Sequence, residues 1–85
     1  MKDDFMKEKR YFLVCYEGSV RGLSIAGNDG FATNGCYINR IETIRRLKKI
    51  NANLYNQDID RVKVVITDIK ELSESDYNDY FKDKG

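Results

Sequence analysis

The sequence predicts an α+β domain: a small antiparallel or mixed sheet of roughly three to four strands, one amphipathic helix packed on one face, and a short helix near the C-terminal end. Three observations predict it. The run Tyr11-Phe12-Leu13-Val14-Cys15-Tyr16 is apolar on both of the faces a strand presents. Ile41, Ile44, Leu47 and Ile50 recur at three-residue spacing, with Arg45, Arg46 and Lys49 between them. Val62, Val64 and Ile66 alternate with Lys63, Val65 and Thr67.

The first strand is expected over residues 10–17. Because it is apolar on both sides, it wants cover on both. One helix covers one side. The other side calls for the C-terminal segment, a second copy of the chain, or a partner. A glycine-rich middle follows, with Gly18, Gly22, Gly27, Gly30 and Gly35. Leu23 and Ile25 alternate with Ser24 and Ala26, the pattern of a half-buried second strand. Asn28-Asp29-Gly30 and Asn34-Gly35 carry turn chemistry, because Asn and Gly tolerate positive φ. A short strand is expected between them at residues 31–33. The segment reads as β-hairpin, with either turn as its tip.

Asn39 is placed to cap the main helix, with Glu42 three residues on as a variant capping box. The helix is expected over residues 40–51, with its apolar side on the sheet and its cations opposite. Residues 61–69 read as a buried strand and, with residues 10–17, as the central pair of the sheet. Ser73 followed by Asp76 marks a second helix start, and Tyr77, Tyr80 and Phe81 fall on one side of that helix.

Eighty-five residues make one domain, read as residues 10–85 behind a polar tail at residues 1–9. The longest apolar run has six residues, Tyr11 to Tyr16, against the roughly 18 a membrane span needs. The tail lacks the apolar core of a signal peptide, so the cytoplasm is the expected location and no membrane partner is expected. In that compartment Cys15 and Cys36 are expected as reduced, semi-buried thiols.

The net charge of +1 hides an asymmetry. Residues 40–63 hold seven Lys or Arg against three acids, and residues 68–85 hold six acids against three lysines. Such halves can complement each other within the fold or between copies.

Catalytic chemistry is hard to assemble from this composition, and no catalytic residue, metal site or cofactor is expected. There is no histidine to move protons near neutrality or to complete a zinc site. Neither cysteine has an evident base. Asp58, Asp60, Asp68 and Glu71 are scattered acids with the ordinary look of solvated loop residues. Residues 30–35 have the outline of a phosphate-binding loop, but Cys36-Tyr37 stands where Lys and Ser or Thr belong.

Two binding readings remain. Six of ten aromatics are tyrosines, a residue suited to half-exposed contact surfaces. Tyr11, Phe12, Tyr16 and Tyr37 are the candidate contacts for a protein partner or a homodimer. The alternative is an anion, nucleic-acid or nucleotide site formed by Arg40, Arg45, Arg46 and Lys49 with the glycine-rich loop. The near-neutral overall charge argues against nonspecific DNA binding.

Residues 10–14, the glycine-rich hairpin, Ile41-Glu42-Thr43-Ile44, Val64-Val65-Ile66 and Leu72-Ser73-Glu74 together resemble a class of small accessory proteins encoded by bacteriophages and other mobile elements. The likeness spans residues 10–81 and rests on structural rather than catalytic motifs. It implies a compact ββαβ-type fold. It also implies, by analogy, a protein that binds a host factor such as a component of a defence system.

Overall fold

The structure, a computed structural model, describes residues 8–82. The expected polar tail falls mostly outside the described residues; Glu8 and Lys9 are exposed and irregular. The elements run β1 (Arg10–Val20), β2 (Leu23–Thr33), α1 (Arg40–Leu54), a short 3-10 turn (Ile59–Arg61), β3 (Val62–Leu72) and α2 (Glu74–Lys82). The fold is α+β. The three strands form an antiparallel sheet in the order β2-β1-β3.

The hairpin tip is neither of the expected turns. β1 and β2 pair without interruption from Arg10↔Thr33 to Val20↔Leu23. Only Arg21 and Gly22 are left to turn the chain, at φ 53° and 87°. Positive φ at both central residues is the I′ geometry that matches strand twist. Asn28-Asp29-Gly30 lies inside β2, so the two short strands expected here are one. The turn chemistry of these three residues is overridden by eleven residues of pairing with β1.

β1 is central and β3 lies at an edge, so the two are neighbours as expected but do not both sit in the centre. Between Cys15 and Tyr16 the β1–β3 register shifts: Tyr16 pairs with Ile66 and Cys15 with Asp68. Thr67 is therefore the extra residue of a bulge, and the bulge changes which β3 positions face the core. Val62, Val64 and Ile66 face it before the bulge, and Ile69 does so after it.

The core lies between one sheet face and α1. Phe12, Val14 and Val20 of β1, Ile25 and Phe31 of β2, Val62, Val64 and Ile66 of β3, Ile38, and Leu47 and Ala52 of α1 are all buried. Phe12, Val14, Leu47 and Val62 are the largest fully enclosed side chains. Asn39 caps α1 by accepting from the Glu42 N–H at 2.9 Å, as expected.

The helix is rolled relative to the expected apolar side. Its sheet-facing residues are Thr43, Leu47, Asn51 and Ala52, with Ile44 partly buried. Ile41 is 71% exposed and Ile50 43%. The reason is geometric. Nine residues at about 100° each place Ile41 and Ile50 on opposite sides of the helix, so a row at three-residue spacing winds around it. The two buried polar residues satisfy themselves. The Thr43 hydroxyl donates to Asn39 O, and Asn51 Nδ2 donates to Leu47 O and to the Tyr16 hydroxyl.

The opposite face of β1 is covered by the C-terminal segment. Ser73 caps α2, accepting from the Asp76 N–H at 3.1 Å. Tyr77 packs on Tyr11 with ring centroids 4.8 Å apart, and Phe81 packs on Tyr77 at 4.9 Å. Both rings lie against Gly30 of β2, where a Cβ would come within 2.6 Å of Phe81 and 2.9 Å of Tyr77. The two-sided apolar strand is thus partly covered by its own chain around Tyr11 and Leu13, both half-buried. Toward the hairpin tip, the same face carries Glu17, Ser19, Ser24 and Ala26 in contact with solvent.

Candidate functional site

The four aromatic candidates do not make one surface. Phe12 is 0% exposed and serves the core, so it offers no contact to a partner. Tyr11 lies on the other sheet face, half-buried under Tyr77. Alternation along the strand forces this separation. Tyr16 is half-buried, its ring lying over Gly27 across the strand pair and its hydroxyl held by Asn51 at 3.1 Å. Tyr37, 53% exposed, remains available at the surface. Its ring meets Phe12 edge-on at 5.3 Å.

Arg10 builds the surroundings of Tyr37. Its guanidinium grips Glu71 with two hydrogen bonds of 2.8 and 2.9 Å, donates to Gly35 O, and lies 5.6 Å from the Phe12 ring and 5.9 Å from the Tyr37 ring. The paired geometry is the forked arrangement that makes Arg–carboxylate contacts directional. The hydrogen bond to Glu71 raises the Arg10 pKa, and the same bond lowers that of Glu71. Arg10 thereby ties the start of β1 to β3 and to the loop before α1. No local sequence signal announces this clasp, because its partners are 61 and 25 residues away.

Arg45, Arg46 and Lys49 lie on the exposed side of α1, whereas Arg40, nine residues before Lys49, starts the helix on the opposite side, and two of the four are already engaged. Arg45 pairs with Glu42 at 3.2 Å, and Arg46 lies 5.4 Å from the Phe31 ring. Arg40 and Lys49 are exposed. The glycine-rich loop expected to assist them is strand: Gly27 and Gly30 lie within β2, under Tyr16 and under Phe81 respectively. A strand roofed by aromatic rings is not a cradle for phosphate, so the nucleotide reading loses its second half.

A groove on the outside of α1 was not singled out by the sequence. It is lined by Ile41, Ile44, Arg45 and Lys48 of the helix and by Ile59 and Asp60 of the 3-10 turn. Ile41 and Ile59 are exposed large apolar residues. The signal was present in the three-residue row: its winding takes Ile41 off the core face and onto this flank.

Cys15 is half-buried and Cys36 exposed; both are free thiols. Among the described residues, no three His, Cys, Asp or Glu side chains gather in a metal-binding arrangement. No helix among them is long and apolar enough to cross a membrane. No protein-family model, no curated protein and no solved structure matches the chain.

Proposed function

We propose that the chain is a binding protein that works by contact with another protein and carries no catalytic centre of its own. The observation that carries this reading is Ile41. A branched apolar side chain stands 71% exposed in the first turn of a capped helix, beside Ile44 and Ile59 in one groove. Exposed apolar residues are ordinary when scattered and informative when they line a common depression with a polar rim. The rim here is Arg45, Lys48 and Asp60. It suits a partner segment that inserts an apolar side chain and carries acids beside it. Tyr37 and the Arg10 clasp offer a separate, smaller contact. The resemblance to phage-encoded accessory proteins makes a host protein, such as a defence factor, the class of partner to look for.

Ile41→Asp tests the reading, because an exposed position tolerates the change without loss of fold. Capture of a protein from host extract by the wild-type chain, and its loss with the variant, is the expected result. Identical captured proteins with both chains, at matched circular dichroism spectra, would overturn the groove as the contact surface.

A further inference from the structure

The two edges of the sheet are not alike. β3 carries Lys63, Asp68, Lys70 and Glu71 and is broken by the bulge at Thr67. Charges and bulges of that kind discourage a second strand from pairing. β2 has neither over most of its length. Its eleven residues, LSIAGNDGFAT, contain one charge, Asp29, and it pairs with β1 without a register shift.

The hairpin geometry says which β2 groups are free. The Val20–Leu23 pair closes a two-residue turn, so Leu23, Ile25, Gly27, Asp29, Phe31 and Thr33 direct their N–H and C=O toward β1. The bond from Arg21 N–H to Arg61 O, on the far side of β1, fits the same phase. Ser24, Ala26, Asn28, Gly30 and Ala32 therefore direct theirs outward. Gly30 is already served, since its N–H donates to the Asp29 carboxylate at 2.9 Å. That carboxylate guards the outer half of the edge. Toward the hairpin tip, nothing among the described residues pairs with the outward backbone groups of Ser24, Ala26 and Asn28, which lie beneath small, uncharged, exposed side chains.

We infer that this half-edge pairs with the same half-edge of a second copy, antiparallel about a two-fold axis at Ala26. In that register Ser24 lies opposite Asn28, Ala26 opposite Ala26, and Leu23 opposite Asp29. Each outward residue exchanges both backbone bonds, giving about six bonds in the new ladder. The two Asp29 carboxylates stay apart, at opposite ends of the paired segment. Arg21 of each tip lies two strand positions, about 7 Å, beyond the Leu23 that faces the other copy's Asp29, so each Asp29 has a cation on its diagonal and no second carboxylate beside it. A two-fold contact of this kind closes on itself and yields a dimer rather than a fibre. It uses a surface distinct from the α1 groove and does not depend on the function proposed above.

Light scattering of the full chain across a concentration series tests this. The expected mass climbs from the single-chain 9.9 kDa toward twice that value as concentration rises. Ala26→Lys, which sets two cations face to face at the axis, holds the mass at 9.9 kDa with an unchanged circular dichroism spectrum. Hydrogen exchange on the wild-type chain reads the same edge without mutation: the Ser24, Ala26 and Asn28 amides slow as concentration rises. A mass that stays at one chain throughout overturns the inference. So does a dimer that survives Ala26→Lys, or one lost in Ile41→Asp, or protection of those three amides only when an extended segment of another protein is added.

Discussion

Gly18 and Gly22 are four residues apart in the chain, and the same methyl group would harm them for different reasons. At Gly18 a Cβ would fall 1.8 Å from the Lys63 carbonyl oxygen, on the backbone of β3. Backbone cannot swing aside, so Gly18→Ala must push two strands apart at the middle of the sheet. The expected cost is about 3 kcal/mol or more, read as a lowered urea midpoint. At Gly22 a Cβ meets open space, but φ is +87°. Gly22→Ala therefore pays only backbone strain, about 1 kcal/mol. Equal losses at both positions would show that β3 does not approach Gly18 this closely. Neither role was legible from composition alone: a glycine-rich stretch reads as loop until its partners across the sheet are known.

At the level of elements, the caps were legible and the faces were not. Asn39 and Ser73 begin their helices as their spacing from Glu42 and Asp76 predicts, because a cap acts within one turn. Asn39→Ala removes the acceptor for Glu42 N–H and should lower stability by about 1 kcal/mol in denaturant titration. The docking of α2 depends on a residue far away in sequence. Gly30→Ala places a Cβ within 2.6 Å of Phe81 and should release α2 while leaving β1, β2, β3 and α1 folded. Increased binding of a hydrophobic dye at Tyr11 and Leu13, with sheet circular dichroism retained, is the expected signature. Global unfolding instead would mean that α2 and the sheet form a single cooperative unit. The roll of α1 shows the same limit. Thr43 and Asn51 face inward because their polar atoms find partners in Asn39, Leu47 and Tyr16, which only the assembled helix and sheet supply.

For the whole molecule, pH acts at the two places where ionisable groups join distant segments. Arg10 holds the Glu71 carboxylate below its ordinary 4.5. A lowered folded value means that the clasp stabilises the protein above the unfolded pKa and is lost as pH falls through the folded one. Both groups are solvent-accessible, so the effect is modest and weakened by salt. Tyr77 is shifted the other way: burial first, then the Asp29 and Tyr11 charges, raise its phenol above the ordinary 10. That contribution is intact below pH 10 and disappears as pH rises through the raised value, when a phenolate must leave the contact with Tyr11 and Phe81. Subtracting the alkaline absorbance titration of Tyr77→Phe from that of the wild type should isolate a phenol ionising above 10. A difference curve centred at or below that value would contradict the packing of α2 on the sheet.

The sequence by itself determined the elements: a strand at residues 10–17 that needed cover on both faces, a capped helix beginning at Arg40, an alternating strand at Val62 and a second capped helix after Ser73. Those features are written in side-chain period and in caps, whose forces reach only a few residues along the chain. Tertiary structure decided the rest. It set the hairpin tip at Arg21-Gly22, kept β2 whole through the turn-forming Asn28-Asp29-Gly30, placed the bulge at Thr67, and rolled α1 so that Ile41 met solvent. It also assigned part of the second face of β1 to α2 and, among the described residues, left the hairpin-tip half of the β2 edge unpaired. Register, roll and docking depend on what lies across the sheet, and contacts between residues so far apart in the chain leave no periodic mark in it.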